Sequence, residues 1–97
     1  MKEIKIQTLE GVNKMTEYTY HQDPGHGWIE VPLAEVVRLQ LNPSRYSYRN
    51  AERVFLEEDN DASEWVKAKK DAGELFNLKD VHVYYDSFIR NLPRFGD

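Results

Sequence analysis

Two short segments in which large apolar side chains alternate with polar ones stand on either side of a turn signal. Thr16 to His21 puts Tyr18 and Tyr20 on one side, Trp28-Ile29-Glu30-Val31 resumes the same character, and Asp23-Pro24-Gly25-His26-Gly27 runs between them. A period of two marks a strand with one buried face. Asp, Pro and Gly in succession bend a chain sharply. Pairing of the two segments as a hairpin across this loop therefore constrains the fold more than any other feature. Two of the three histidines, two of the five glycines and one of the two tryptophans fall within His21 to Trp28. That density of proton- and metal-binding groups exceeds what a plain turn needs.

The remaining elements follow from similar patterns. Lys2 to Thr8 alternates through Ile4 and Ile6, so residues 1–14 read as an edge strand or as an N-terminal extension preceding an alternative start at Met15. Pro32 suits the first turn of a helix, where its missing N–H costs nothing. Leu33, Val36, Val37 and Leu41 keep helical spacing up to the stop at Asn42-Pro43, which predicts a helix over 32–41. Residues 45–49 and 53–58 read as two strands. Asp61 with Glu64 gives a capping-box-like start to a second helix over 62–72, closed by Gly73 as a left-handed stop. Residues 80–85 read as a last strand, while Leu75 to Leu78 is ambiguous. The tail holds Phe88, Ile89, Leu92 and Phe95, too apolar for a free end, and is expected to pack on the body or on a partner. The order β-β-β-α-β-β-α-β describes a single α+β domain over 1–97, a small mainly antiparallel sheet with two short helices on one face.

Composition narrows the function classes. A chain of 97 residues makes one core, and a small one. Cysteine is absent, which excludes a disulfide framework and a thiolate metal site and suits a reducing cytoplasm. No apolar run approaches the roughly 20 residues of a membrane helix, and the first residues lack a secretory apolar stretch. Seventeen acidic residues against 13 basic ones give a net charge of −4. Direct binding to nucleic acid usually needs a basic face, so the balance argues against it. It is also too mild for a mimic of the nucleic-acid backbone.

Four groupings carry potential chemistry. His21, Asp23 and His26 are suitable ligand types for a divalent metal, and a small metal-dependent hydrolase or nuclease built on them is the alternative reading of the chain. The other account of the same residues is a turn in which Asp23 accepts backbone N–H bonds. Glu57-Glu58-Asp59-Asn60-Asp61 is a dense acidic edge without the glycine and terminal glutamate of a calcium loop. It reads as a strand end entering a helix N-terminus, or as an acidic edge for a partner. Lys67, Lys69 and Lys70 read as a solvated outer face of the second helix. Arg90 and Arg94, beside Phe88, Pro93 and Phe95, have the composition of an interface hot spot or of a tail that closes its own core. No Cys, no G-x-S-x-G setting and no phosphate loop is present. No catalytic set and no cofactor is assigned.

His21-Gln22-Asp23-Pro24-Gly25-His26-Gly27-Trp28-Ile29-Glu30-Val31, then Tyr46-Ser47-Tyr48, then Val54 to Ala62 (VFLEEDNDA), then Ile89-Arg90-Asn91-Leu92-Pro93, resembles a family of small uncharacterised proteins of phages and plasmids. Its pattern runs as H-D-P-G-H-G-W, S-Y, Y-L-E-E-D-x-D-A and an I-R-x-hydrophobic-P tail. The resemblance spans most of 16–93. This chain carries Gln22 as an extra residue, Phe55 where Tyr is common and Asn60 where the family often has Cys. The resemblance implies a genetic setting: a small non-enzymatic protein of a mobile element, working in the cytoplasm of a bacterial host cell by binding a host protein. Counter-defence inhibition of the anti-CRISPR type, against a nucleic-acid-binding defence protein, is the sharpest form of that expectation. Self-association is a further one. The expected contact surface joins His21, Asp23, His26 and Trp28 with Glu57, Glu58 and Asp59 and with Arg90, Arg94 and Phe95.

Overall fold

A computed structural model describes residues 15–96. The candidate strand at 2–8 lies outside them. Within them the order is β1 (Thr16–Gln22), β2 (Gly27–Pro32), α1 (Leu33–Arg38), β3 (Tyr48–Arg49), β4 (Arg53–Glu57), α2 (Asp61–Asp71) and β5 (Phe76–His82), followed by a 3-10 turn at Phe88–Asn91. The fold is α+β, as the patterns predict. Its five-stranded sheet has the order β3-β4-β2-β1-β5. The hairpin forms with Tyr20 opposite Ile29 and His21 opposite Trp28. The β2–β4 and β3–β4 pairs are also antiparallel, but β5 runs parallel to β1, so the sheet is mixed. No helix among the described residues is long and apolar enough to cross a membrane.

The alternation of each strand sends side chains to two differently covered faces. Tyr18, Ile29, Val31, Val54 and Leu56 point to one face and bury against Val36 of α1 and Ala62 and Trp65 of α2. Trp28, Tyr48 and Phe55 point to the other face, where Ile89 and Leu92 of the C-terminal tail cover them. The tail also extends the sheet beyond β3, through a bridge between Tyr48 and Arg94 and a bond from the Phe95 N–H to the Ser47 carbonyl. It therefore closes the protein's own core, and the sheet is covered on both sides at its central strands, while β5 stays mostly exposed.

Several boundaries differ from the sequence reading for visible reasons. The first helix is shorter than 32–41: Pro32 still belongs to β2, and Gln40 takes a left-handed φ of 57° that breaks the spiral. The strand over 45–49 shrinks to Tyr48–Arg49. Asp61 draws the chain before it into a turn, accepting bonds from the Ser44 N–H and from the Ser44 and Ser47 hydroxyls. The same bonds remove Asp61 from any capping box; it lies inside α2, and Asn60 is the cap residue. The last strand is Phe76–His82 rather than 80–85, because Phe76 packs on Trp65 and Tyr18 and pins its start. Gly73 does adopt the left-handed stop, with φ 72°.

Lys69 corrects the reading of α2 most sharply. It is 2% exposed rather than part of a solvated face. Its ammonium donates to the Tyr18 hydroxyl and to Glu74, each at 2.8 Å, and lies 3.4 Å from Glu35. Glu35 in turn accepts from the Tyr18 hydroxyl and the Trp65 indole N–H. Burial alone would lower the lysine pKa, but the bonds to Glu74 and Tyr18 and the nearby Glu35 outweigh it and hold the group charged. No buried polar side-chain atom among the described residues is left without a partner, as a buried charge requires.

Candidate functional site

Asp23 organises the hairpin loop. Its Oδ1 accepts the N–H groups of Gly25 and His26, each at 3.0 Å, and its own N–H donates to the His26 carbonyl. The same carboxylate reaches the far end of the chain. Arg90 grips it with two bonds, Nε to Oδ2 at 2.6 Å and Nη2 to Oδ1 at 2.9 Å, and the Ser87 N–H adds a third at 3.0 Å. The Arg90 guanidinium, helped by the three backbone N–H groups, holds the Asp23 pKa well below the usual carboxylate range even though burial opposes it. A carboxylate offers about four lone-pair sites, and five donors already converge on this one.

The metal set His21, Asp23 and His26 is therefore not assembled, and among the described residues no group of three His, Asp or Glu is placed to hold a metal ion. His21 belongs to β1. Its Nε2 lies 2.8 Å from Glu30, which also accepts from Arg53, and its ring packs edge-on to Phe55 and Phe88. His26 stays at the loop tip, its ring 6.1 Å from that of Trp28. Asp23 faces Arg90.

The structure gathers another set on the tail-covered face. His26, Trp28, Tyr46, Tyr48, Glu57, Arg90 and Arg94 line a cavity of about 240 Å³. Trp28 and Glu57 are direct cross-strand neighbours. The Arg90 guanidinium lies 5.4 Å from the Trp28 ring centre and that of Arg94 5.2 Å from the Tyr48 ring centre. Arg94 is also tethered by a 3.0 Å bond to the Arg45 carbonyl. Planar guanidiniums stacked on rings and tied by hydrogen bonds are rigid donors. His26, Trp28, Glu57, Arg90 and Arg94 of the expected contact surface thus share one basin, with Asp23 buried behind Arg90.

The rest of the expected surface is dispersed. Strand alternation turns Glu58 to the helix-covered side, where it accepts the Tyr20 hydroxyl at 2.9 Å. Burial and this bond push the Tyr20 pKa up to about 12. Asp59 is exposed on the turn before α2. Phe95 follows the bridge onto the helix-side core. His21 sits at a second, mainly apolar recess with Val81, Val83, Tyr85 and Phe88. Sequence reading missed Tyr46 and Tyr48 as basin residues. They stand two apart in the segment read as a strand over 45–49, but only the tail's return beside β3 makes them a wall of the basin. No family model, curated protein or solved structure matches this chain.

Proposed function

We propose that this chain is a non-enzymatic binding protein that docks a host protein through the tail-covered face of its sheet, and that it serves a phage or other mobile element as a counter-defence inhibitor. The observation that supports docking is the exposure of large aromatics along that face. Tyr46 is 70% exposed at the basin, and Tyr85 and Phe88 are 71% and 56% exposed at the neighbouring recess. A small domain that leaves several aromatics open beside ordered arginines has the composition of an interaction surface. The mobile-element setting rests on the resemblance of the loop, acidic and tail segments.

Affinity capture from bacterial lysate, with the double variant Tyr85→Ala/Phe88→Ala as control, tests the docking. Wild type is expected to retain a host protein that the variant releases. Equal retention by both, or none by wild type, sinks the reading. Phage plating on a host with an active defence system, with and without the expressed chain, tests the counter-defence role; unchanged plating would remove it.

A further inference from the structure

The charges of the basin do not all cancel. Asp23 neutralises Arg90 from behind through its bidentate grip. Glu57 and Arg94 remain, and neither has an ion-pair partner among the described residues although they line the same cavity. Each is held in place with bonding capacity to spare. One oxygen of Glu57 accepts the Asn60 N–H at 3.3 Å. Its other oxygen accepts nothing among the described residues and is not sealed from solvent. Arg94 spends Nη1 on the Arg45 carbonyl and rests on Tyr48, so its remaining N–H groups are uncommitted among the described residues. A carboxylate and a guanidinium set apart in an aromatic-walled recess are complementary to a molecule that carries both charges itself. The recess, about 240 Å³, falls below the roughly 300–1,000 Å³ of drug-sized pockets and suits a residue-sized guest.

We propose that the basin binds a free α-amino acid as the zwitterion, with its carboxylate on Arg94, its ammonium on Glu57 and its side chain along the open ring of Tyr46. Arg supplies the paired N–H donors that match a carboxylate. Glu57 and the surrounding rings suit an ammonium, which is attracted both to the acid and to aromatic faces. The site does not depend on the docking role proposed above, since a free amino acid needs no partner protein.

The test is a titration of the wild-type chain with L-leucine, L-phenylalanine and L-glutamate, followed by amide NMR shifts and calorimetry. Each amino acid is compared with its N-acetyl and carboxamide derivatives. The expected result is saturable shifts at His26, Tyr46, Glu57 and Arg94, and a loss of about tenfold or more when either charge of the ligand is blocked. Arg94→Ala and Glu57→Gln are each expected to cost a similar factor. Because the ligand derivatives are tested on wild type, a misfolded variant cannot mask the result. No saturable shift up to about 10 mM overturns the proposal. So does binding of the N-acetyl derivatives as tight as that of the parent amino acids, which would make the basin a simple carboxylate site.

Discussion

A methyl group added at Gly27 would lie 2.7 Å from the Tyr20 hydroxyl and 2.9 Å from Glu58 Oε1. Neither Gly25 nor Gly27 has a positive φ. Gly27 is needed for close approach rather than for backbone freedom, because the Tyr20–Glu58 hydrogen bond passes directly over it. At Gly25 the same methyl would meet Arg90 Nη2 at 2.8 Å, an atom that Asp23 holds still. The sequence shows two glycines in a turn; which crowding they relieve depends on side chains contributed from elsewhere in the chain. Gly27→Ala is expected to destabilise the domain by about 1–3 kcal/mol, the usual cost of overpacking. A urea melt would read this as a lower midpoint, and an unchanged midpoint would show that Tyr20 can move aside freely.

At the scale of elements, α2 shows how a surface-looking pattern can hide a core contact. Lys67, Lys69 and Lys70 are indistinguishable by composition. The turn of the helix exposes Lys67 and Lys70 and delivers Lys69 between Tyr18, Glu35 and Glu74. The ammonium also lies 5.0 Å from the Tyr18 ring and 5.8 Å from that of Trp65. This group links α2 to β1 through Tyr18 and to α1 through Glu35. Lys69→Ala removes the buried cation between Glu35 and Glu74 and is expected to cost about 3–5 kcal/mol, the range for breaking a buried pair. Lys67→Ala and Lys70→Ala should stay within about 0.5 kcal/mol. Parallel denaturation curves of the three variants check the ranking, and equal midpoints would refute it. The exposed Val37, in turn, explains why apolar spacing overstated the buried face of α1, where Glu35 and Val36 are the buried residues.

For the whole molecule, the Asp23–Arg90 clamp joins residues 67 positions apart. It holds the tail across Trp28 and Phe55 and so completes the second core. Its pKa shift makes it a source of acid sensitivity. The folded Asp23 pKa lies below its ordinary 3.8. Its contribution is therefore complete above that value and is lost as pH falls through the folded pKa. Glu74, lowered from 4.5 to about 2 by the hydrogen bonds from Arg38 and then Lys69, adds to the same limb. Stability should hold above roughly pH 5 and fall steadily below it. Asp23→Asn is expected to cost about 3 kcal/mol at neutral pH, near the low end for a buried pair because Arg90 is partly open to water. It should also flatten the acid limb. Thermal melts of wild type and variant between neutral pH and pH 3 decide this; an equally steep acid limb in the variant would place the sensitivity elsewhere.

The α+β class, the hairpin of Thr16–Gln22 with Gly27–Pro32 and the left-handed stop at Gly73 were legible in the sequence, because each follows from local periodicity and turn chemistry. So was an apolar tail that needed a place to pack. Three features were settled by tertiary structure alone: the parallel pairing of β5 with β1, the burial of Lys69 and the arrangement of the candidate site. Each depends on contacts between residues distant in the chain, which periodicity does not encode. Asp23 had two readings open to it, turn former and metal ligand. The arrival of Arg90 and Ser87 chose between them by filling its lone pairs. Likewise Glu57 and Glu58 are adjacent letters that strand alternation sends to opposite faces, and only the docked tail turns one of those faces into a basin.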